Sequence, residues 1–171
     1  MTQRDHLIAS IKSQNEAIDG PTKPVVSLEE FFDGNDDDGS IGCNLDEPFC
    51  PPSDTRGWLE RTLRPRPAVS IPAPTAPHPG PQGFYKILMT VRERADVQDV
   101  LVEIDDLDES PGGAWPFSEV VYVLTRATVQ EVEAWVAPLF PDEVRDGYFG
   151  DKPSAAPDLL PGYQVYAAWW D

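Results

Sequence analysis

Apolar residues recur at helical spacing at the start of the chain, at Leu7, Ile8, Ile11 and Ile18, so residues 1–18 are expected to form an amphipathic helix stopped by Gly20-Pro21. Residues 23–26 can supply a short strand. Ser27-x-x-Glu30 has the spacing of a capping box, in which hydroxyl and carboxylate satisfy the free N–H groups at a helix start, and it opens a short helix over residues 28–32. Phe84, Ile87, Leu88 and Val91 mark a further helix over 82–95. The period then changes. Residues 97–105 alternate, with Val100, Val102 and Ile104 on one face, as in a half-buried strand. Val120-Val121-Tyr122-Val123-Leu124 is almost continuously apolar, which predicts a central strand over 118–125 covered on both faces. Thr128-x-x-Glu131 is a second capping box, and Val129, Val132, Trp135, Val136 and Leu139 form the stripe of the helix it opens. Pro138 and Pro141 end that helix. Residues 162–170 read as a last strand, with Val165, Ala167 and Trp169 opposite Tyr166, Ala168 and Trp170.

The resulting order, α-β-β-α-β, predicts an α+β fold: a two-layer sandwich with helices on one side of a mixed or antiparallel sheet. A leading strand at 23–26 or 68–71 would extend it to β-α-β-β-α-β, a ferredoxin-like split βαβ arrangement. Residues 48–83 break this pattern with ten prolines in 36 positions. Such a run cannot form an interior helix or a central strand, so it reads as a proline-rich surface arm, in part polyproline-like. Its four arginines against Asp54 and Glu60 give it a net charge of +2, leaving -19 for the remainder, and electrostatics favour its lying on the acidic body. The length of 171 residues suits one domain, 1–171, with the arm as an insertion.

Composition narrows the function. With 40% hydrophobic residues the chain can build a core, which argues against wholesale disorder. The formal net charge of -17 repels phosphate backbones and anionic lipid, so neither nucleic acid nor membrane is an expected partner. No apolar signal region follows Met1, and no stretch has the length of a transmembrane helix, so a soluble cytoplasmic protein is expected. Cys43 and Cys50, the two cysteines, are then expected as free thiols.

Two acidic segments hold the candidate chemistry. Residues 33–42 place Asp33, Asn35, Asp36, Asp37, Asp38 and Ser40 among three glycines. Asp36, Asp38, Gly39 and Ile41 fit the third, fifth, sixth and eighth positions of an EF-hand loop, but the first falls on Gly34 and the twelfth on Leu45. A non-standard Ca²⁺ or Mg²⁺ site closed by Asp46 or Glu47 is one reading; a solvated turn or partner contact is the other, since Asp, Asn and Gly are ordinary turn residues. The second segment, Glu103, Asp105, Asp106, Asp108 and Glu109, reads as a solvated hairpin tip, although Glu103 and Asp105 share a face and paired carboxylates can do acid–base work or hold Mg²⁺.

Catalysis finds little support. His6 and His78 are the two histidines, a Cys43/His78 nucleophile–base pair would need the fold to bring them together, and no G-x-S-x-G, P-loop or G-x-G-x-x-G pattern occurs. Two cysteines without a nearby histidine pair do not make a zinc site. In charge and size the chain resembles small acidic inhibitors such as the immunity proteins that neutralise basic toxins, a compositional likeness with no shared motif. The expected function is therefore a non-enzymatic acidic protein-binding protein, of inhibitor or immunity type, for a basic partner. It would bind through Asp36, Asp37, Asp38, Asp105, Asp106 and Asp108, with Trp170 as an aromatic anchor. The alternative is divalent-cation binding by Asp33, Asn35, Asp36, Asp37 and Asp38; a carboxylate–metal hydrolase ranks third. No cofactor is expected in the first reading, and Ca²⁺ or Mg²⁺ in the second.

Overall fold

In the computed structural model, which describes residues 1–14, 22–37, 39–41 and 79–170, five strands form one sheet and the helices pack on one of its faces. The elements in chain order are α1 (Gln3–Gln14), β1 (Val25–Ser27), α2 (Leu28–Phe32), α3 (Gly80–Arg92), β2 (Val97–Glu103), β3 (Val120–Thr125), α4 (Val129–Val136), a 3₁₀ turn (Ala137–Leu139), β4 (Glu143–Asp146) and β5 (Gln164–Trp169). The strand order is β1-β2-β3-β5-β4, and every pairing is antiparallel. The fold is thus α+β with helices on one side. The ferredoxin-like refinement does not hold, because a split βαβ unit has another strand between the two that its helix joins, whereas here β1 and β2, and likewise β3 and β5, are direct antiparallel neighbours.

Local chemistry explains most boundaries. Both capping boxes form: the Ser27 and Thr128 hydroxyls accept from the N–H groups of Glu30 and Glu131, whose carboxylates accept from the cap residues in return. α1 is described from Gln3 to Gln14; residues 15–18 of the expected helix lie outside the described residues. α3 begins at Gly80, inside the proline-rich segment, because Pro81 occupies the first turn, where a missing N–H costs nothing. The rest of that segment, up to residue 78, lies outside the described residues.

β3 is buried along its whole length, as its apolar run requires. Val121 and Val123 face the helical layer, where Leu7, Ile11, Leu28, Phe31, Phe32, Phe84, Leu88, Val132 and Val136 complete a core. Val120, Tyr122 and Leu124 face the other way, into a smaller cluster with Val25, Leu101, Val165 and Ala167. The cover on that side comes from the irregular stretch 147–163, through Tyr148, Phe149 and Ala156. Gly147 N–H donates to Val165 O at 2.9 Å, and Gln98 reaches the Asp158 carbonyl and the Leu160 N–H at 2.8 and 2.9 Å, which pins the stretch down.

Candidate functional site

The two acidic segments, far apart in sequence, are folded onto one end of the sheet. β2 leaves the sheet there and β3 enters it, and residues 104–119 connect them. The loop that follows α2 docks alongside: Ile41 bridges Ser118, Ser118 N–H donates to Ser40 O at 2.9 Å, and Trp115 donates its indole N–H to Phe31 O at 3.0 Å. Trp115 N–H also reaches Asp37 Oδ2 at 3.4 Å. α1 closes the cluster, with Arg4 bonded to the Ala114 and Asp108 carbonyls and Lys12 2.6 Å from Glu109.

Most of these acidic groups are held by protein donors. Asn35 is buried; its amide donates to Ser40 Oγ at 2.8 Å and Phe31 O at 3.3 Å, and its oxygen accepts from Asp37 N–H at 3.0 Å. Asp37 Oδ1 accepts from Gly39 N–H at 3.0 Å, and Asp33 accepts from the Gln3 amide at 2.6 Å. Gly34, at φ +74, makes the turn that lets Asn35 point inward. The loop is therefore a self-satisfied Asx-type turn. Asp36 is exposed, and Asp38 lies outside the described residues. Among the described residues, no group of three or more His, Cys, Asp or Glu side chains is placed to hold a metal ion.

In the second segment Asp106 is exposed and accepts from Leu107 N–H at 2.8 Å. Asp108 ties its own turn, accepting from Ser110 and from Ala114 N–H, and these bonds, the Ser110 hydroxyl first, hold its carboxyl below the usual range. Asp105 is paired with Lys23 and accepts from Glu119 N–H at 2.6 Å. Glu103 departs from the expected solvated tip. It is 2% exposed, facing the smaller cluster, with the Tyr122 hydroxyl donating to its Oε2. Burial pushes its carboxyl up to about 7, against the lowering effect of the Tyr122 bond. Tyr122 read from the sequence as core alone, and nothing in the spacing marks its hydroxyl as a partner for Glu103.

Trp170 is not available as a surface anchor. It is 3% exposed, packs edge-on against Phe84 with ring centroids 5.3 Å apart, and donates its indole N–H to Leu139 O at 2.8 Å. It points into the helical layer because the final strand alternates as expected, leaving Trp169 on the opposite face. The exposed aromatic at this end of the sheet is Phe140, just before β4, whose first residue pairs with Trp169. His6 lines an open groove of about 230 Å³ between α1 and α2 with Gln3, Leu7, Glu29, Glu30 and Asp33. Arg92 and the Ser27 cap engage Glu29 and Glu30 there. Cys43, Cys50 and His78 lie outside the described residues.

Residues 2–71 and 70–168 match the family described as "Uncharacterized protein YfbO family". The chain belongs to that family. One relative, "Uncharacterized protein YfbO" of Escherichia coli (strain K12), is 30% identical over 167 residues, covering 96% of this chain and 96% of that protein. No solved structure matches the chain. The first matched segment holds Asp36 and Asp37 and the second holds Asp105, Asp106 and Asp108, so the family match spans both halves of the acidic end. Among the described residues of this YfbO-family chain, no helix is long and apolar enough to cross a membrane.

Proposed function

We propose that this YfbO-family chain is a non-enzymatic, cytoplasmic, acidic protein that binds a basic protein partner and inhibits it by covering its basic surface. The observation that supports this most is the joining of two acidic segments at one end of the sheet, through the Ile41–Ser118 bridge and the Trp115 bonds. Asp36 and Asp106 present exposed carboxylates there, while Asp37 and Asp108 are fixed by backbone donors and add negative potential without the entropy cost of mobile side chains; Asp105 is fixed in the same way, with its charge offset by Lys23. Complementary charge of this kind raises the association rate and suppresses wrong partners. Phe140, at the same end, supplies the apolar contact in place of Trp170. Cation binding by the 33–42 loop has weaker support, since Asp33, Asn35 and Asp37 already accept from protein N–H groups.

The test is capture from a lysate of the native source on the immobilised chain, at low and high salt, beside the Asp36→Asn/Asp106→Asn double variant. The expected result is a basic protein retained by the native chain at low salt, released at high salt, and held more weakly by the double variant, whose melting curve is unchanged. Retention indifferent to both salt and the double substitution rules the reading out.

A further inference from the structure

The sheet face turned away from the helices carries a carboxyl group sealed from solvent. Glu103 Oε2 accepts from the Tyr122 hydroxyl, and the same hydroxyl accepts from Phe149 N–H at 3.1 Å. An unbroken run of hydrogen bonds therefore joins the covering segment, 147–163, to the buried acid. Lys23 Nζ lies 4.0 Å from Glu103 Oε1, but its closer partner is Asp105, which is also held by Glu119 N–H. The ring of Tyr148 packs edge-on against Tyr122, with centroids 4.9 Å apart, and its buried hydroxyl has no hydrogen-bond partner among the described residues. The groups bearing on Glu103 are thus Lys23 ahead of β1, Asp105 beyond β2 and Tyr122 on β3, with Glu119 acting through Lys23.

We propose that Glu103 is a proton-operated latch: with its carboxyl protonated the 147–163 segment stays seated on the sheet, Phe149 N–H bonded to Tyr122, and loss of the proton loosens that segment by leaving a buried charge that draws in water. Once ionised, Glu103 is a buried charge with one neutral donor and an ammonium already engaged elsewhere. Such a charge is costly until it finds more donors or water. β2 and β3 are locked between neighbouring strands, so water can reach the carboxyl past the irregular cover or beside the partly exposed Lys23. Opening that cover breaks the Phe149–Tyr122 bond, but it also hydrates the Tyr148 hydroxyl, which has no partner among the described residues while the cover is closed. The orphan hydroxyl lowers the cost of opening and makes the cover the weaker side of the site. The same desolvation that makes the charge costly carries its proton loss into the neutral range.

Two measurements on the whole chain test this over about pH 5 to 9. Carbon NMR follows the Glu103 carboxyl, and hydrogen exchange follows the Phe149 amide relative to its intrinsic rate at each pH. The carboxyl should titrate near neutrality, and protection at Phe149 should fall about tenfold or more through the same range. Protection at Val123 in β3 should hold, which marks the opening as local. Glu103→Gln should keep Phe149 protected throughout, and Tyr122→Phe should leave it poorly protected at both ends. A Glu103 that titrates in the ordinary carboxylate range overturns the latch. So does Phe149 protection that ignores pH, and so does an unchanged fall in Glu103→Gln.

Discussion

At Phe140 the backbone sits at φ 52, the one positive value among the described non-glycine residues, and the ring is 50% exposed. A left-handed conformation crowds Cβ against the following carbonyl, at a cost of about 1–2 kcal/mol that Asn bears more easily than Phe. Phe140→Asn should therefore raise the urea midpoint, by an amount equivalent to roughly 0.5–1 kcal/mol. It should also weaken the proposed partner contact; a stability gain without a binding loss would remove Phe140 from the interface. Glu103 leads to a prediction about pH. Its carboxyl holds a proton up to about 7 in the fold, against 4.5 ordinarily, so the folded chain binds more protons between those values. Stability contributed by this group is full below that window and falls as pH rises through it, by on the order of 3 kcal/mol. The carboxyls held low, such as Asp108 and Glu29, act below their ordinary values and leave the window clear. Denaturation at about pH 5 and pH 8 should thus favour the lower pH, and Glu103→Gln should remove most of the difference.

The helices and strands differ in how openly the sequence declares them. Two capping boxes, a 3.6-residue stripe and a continuous apolar run placed α2, α3, α4 and β3, because those signals are local. β4, Glu143–Asp146, went unread: three of its four residues are exposed, it pairs with a single strand among the described residues, and Glu-Val-Arg-Asp has no alternation to detect. Position within a helix misled as well. Trp135 belongs to the apolar stripe of α4, but it is only half-buried and stacks beneath Arg94, whose guanidinium carbon is 4.0 Å from the ring centroid. Phe84 on α3 is wholly buried against Trp170. Phe84→Ala should cost about 3–5 kcal/mol, and Trp135→Ala distinctly less, because water can refill the space at a half-buried site. Equal losses in chemical denaturation would show that Trp135 is as much a core residue as Phe84.

For the molecule as a whole, charge sets the behaviour. A net charge of -17 strains the folded state by self-repulsion, which added salt screens. Moderate NaCl should raise the melting temperature while it weakens the proposed partner complex. A partner complex that gained strength with salt would point to apolar association instead. The acidic segments were plain in the sequence, and their meeting was not. It depends on one bridge between Ile41 and Ser118 and on a tryptophan reaching back to Phe31, contacts 77 and 84 positions apart that no local pattern encodes.

The strand order β3-β5-β4 also governs how the chain can fold as it leaves a ribosome. β4 is synthesised first of the last pair, yet its partner is β5, so it must wait without a neighbour until residue 169 is free. Until then β3, apolar from Val120 to Leu124 but for the Tyr122 hydroxyl, presents an open edge, the kind of surface that invites association with other chains. A force-sensitive arrest peptide fused downstream should therefore register its main folding event only after Trp169 clears the exit tunnel, and not after Thr125. An early event at the β2–β3 hairpin would mean that the first half of the sheet holds together alone. Without such an event, the nascent chain depends on shielding by a chaperone until its central gap is filled.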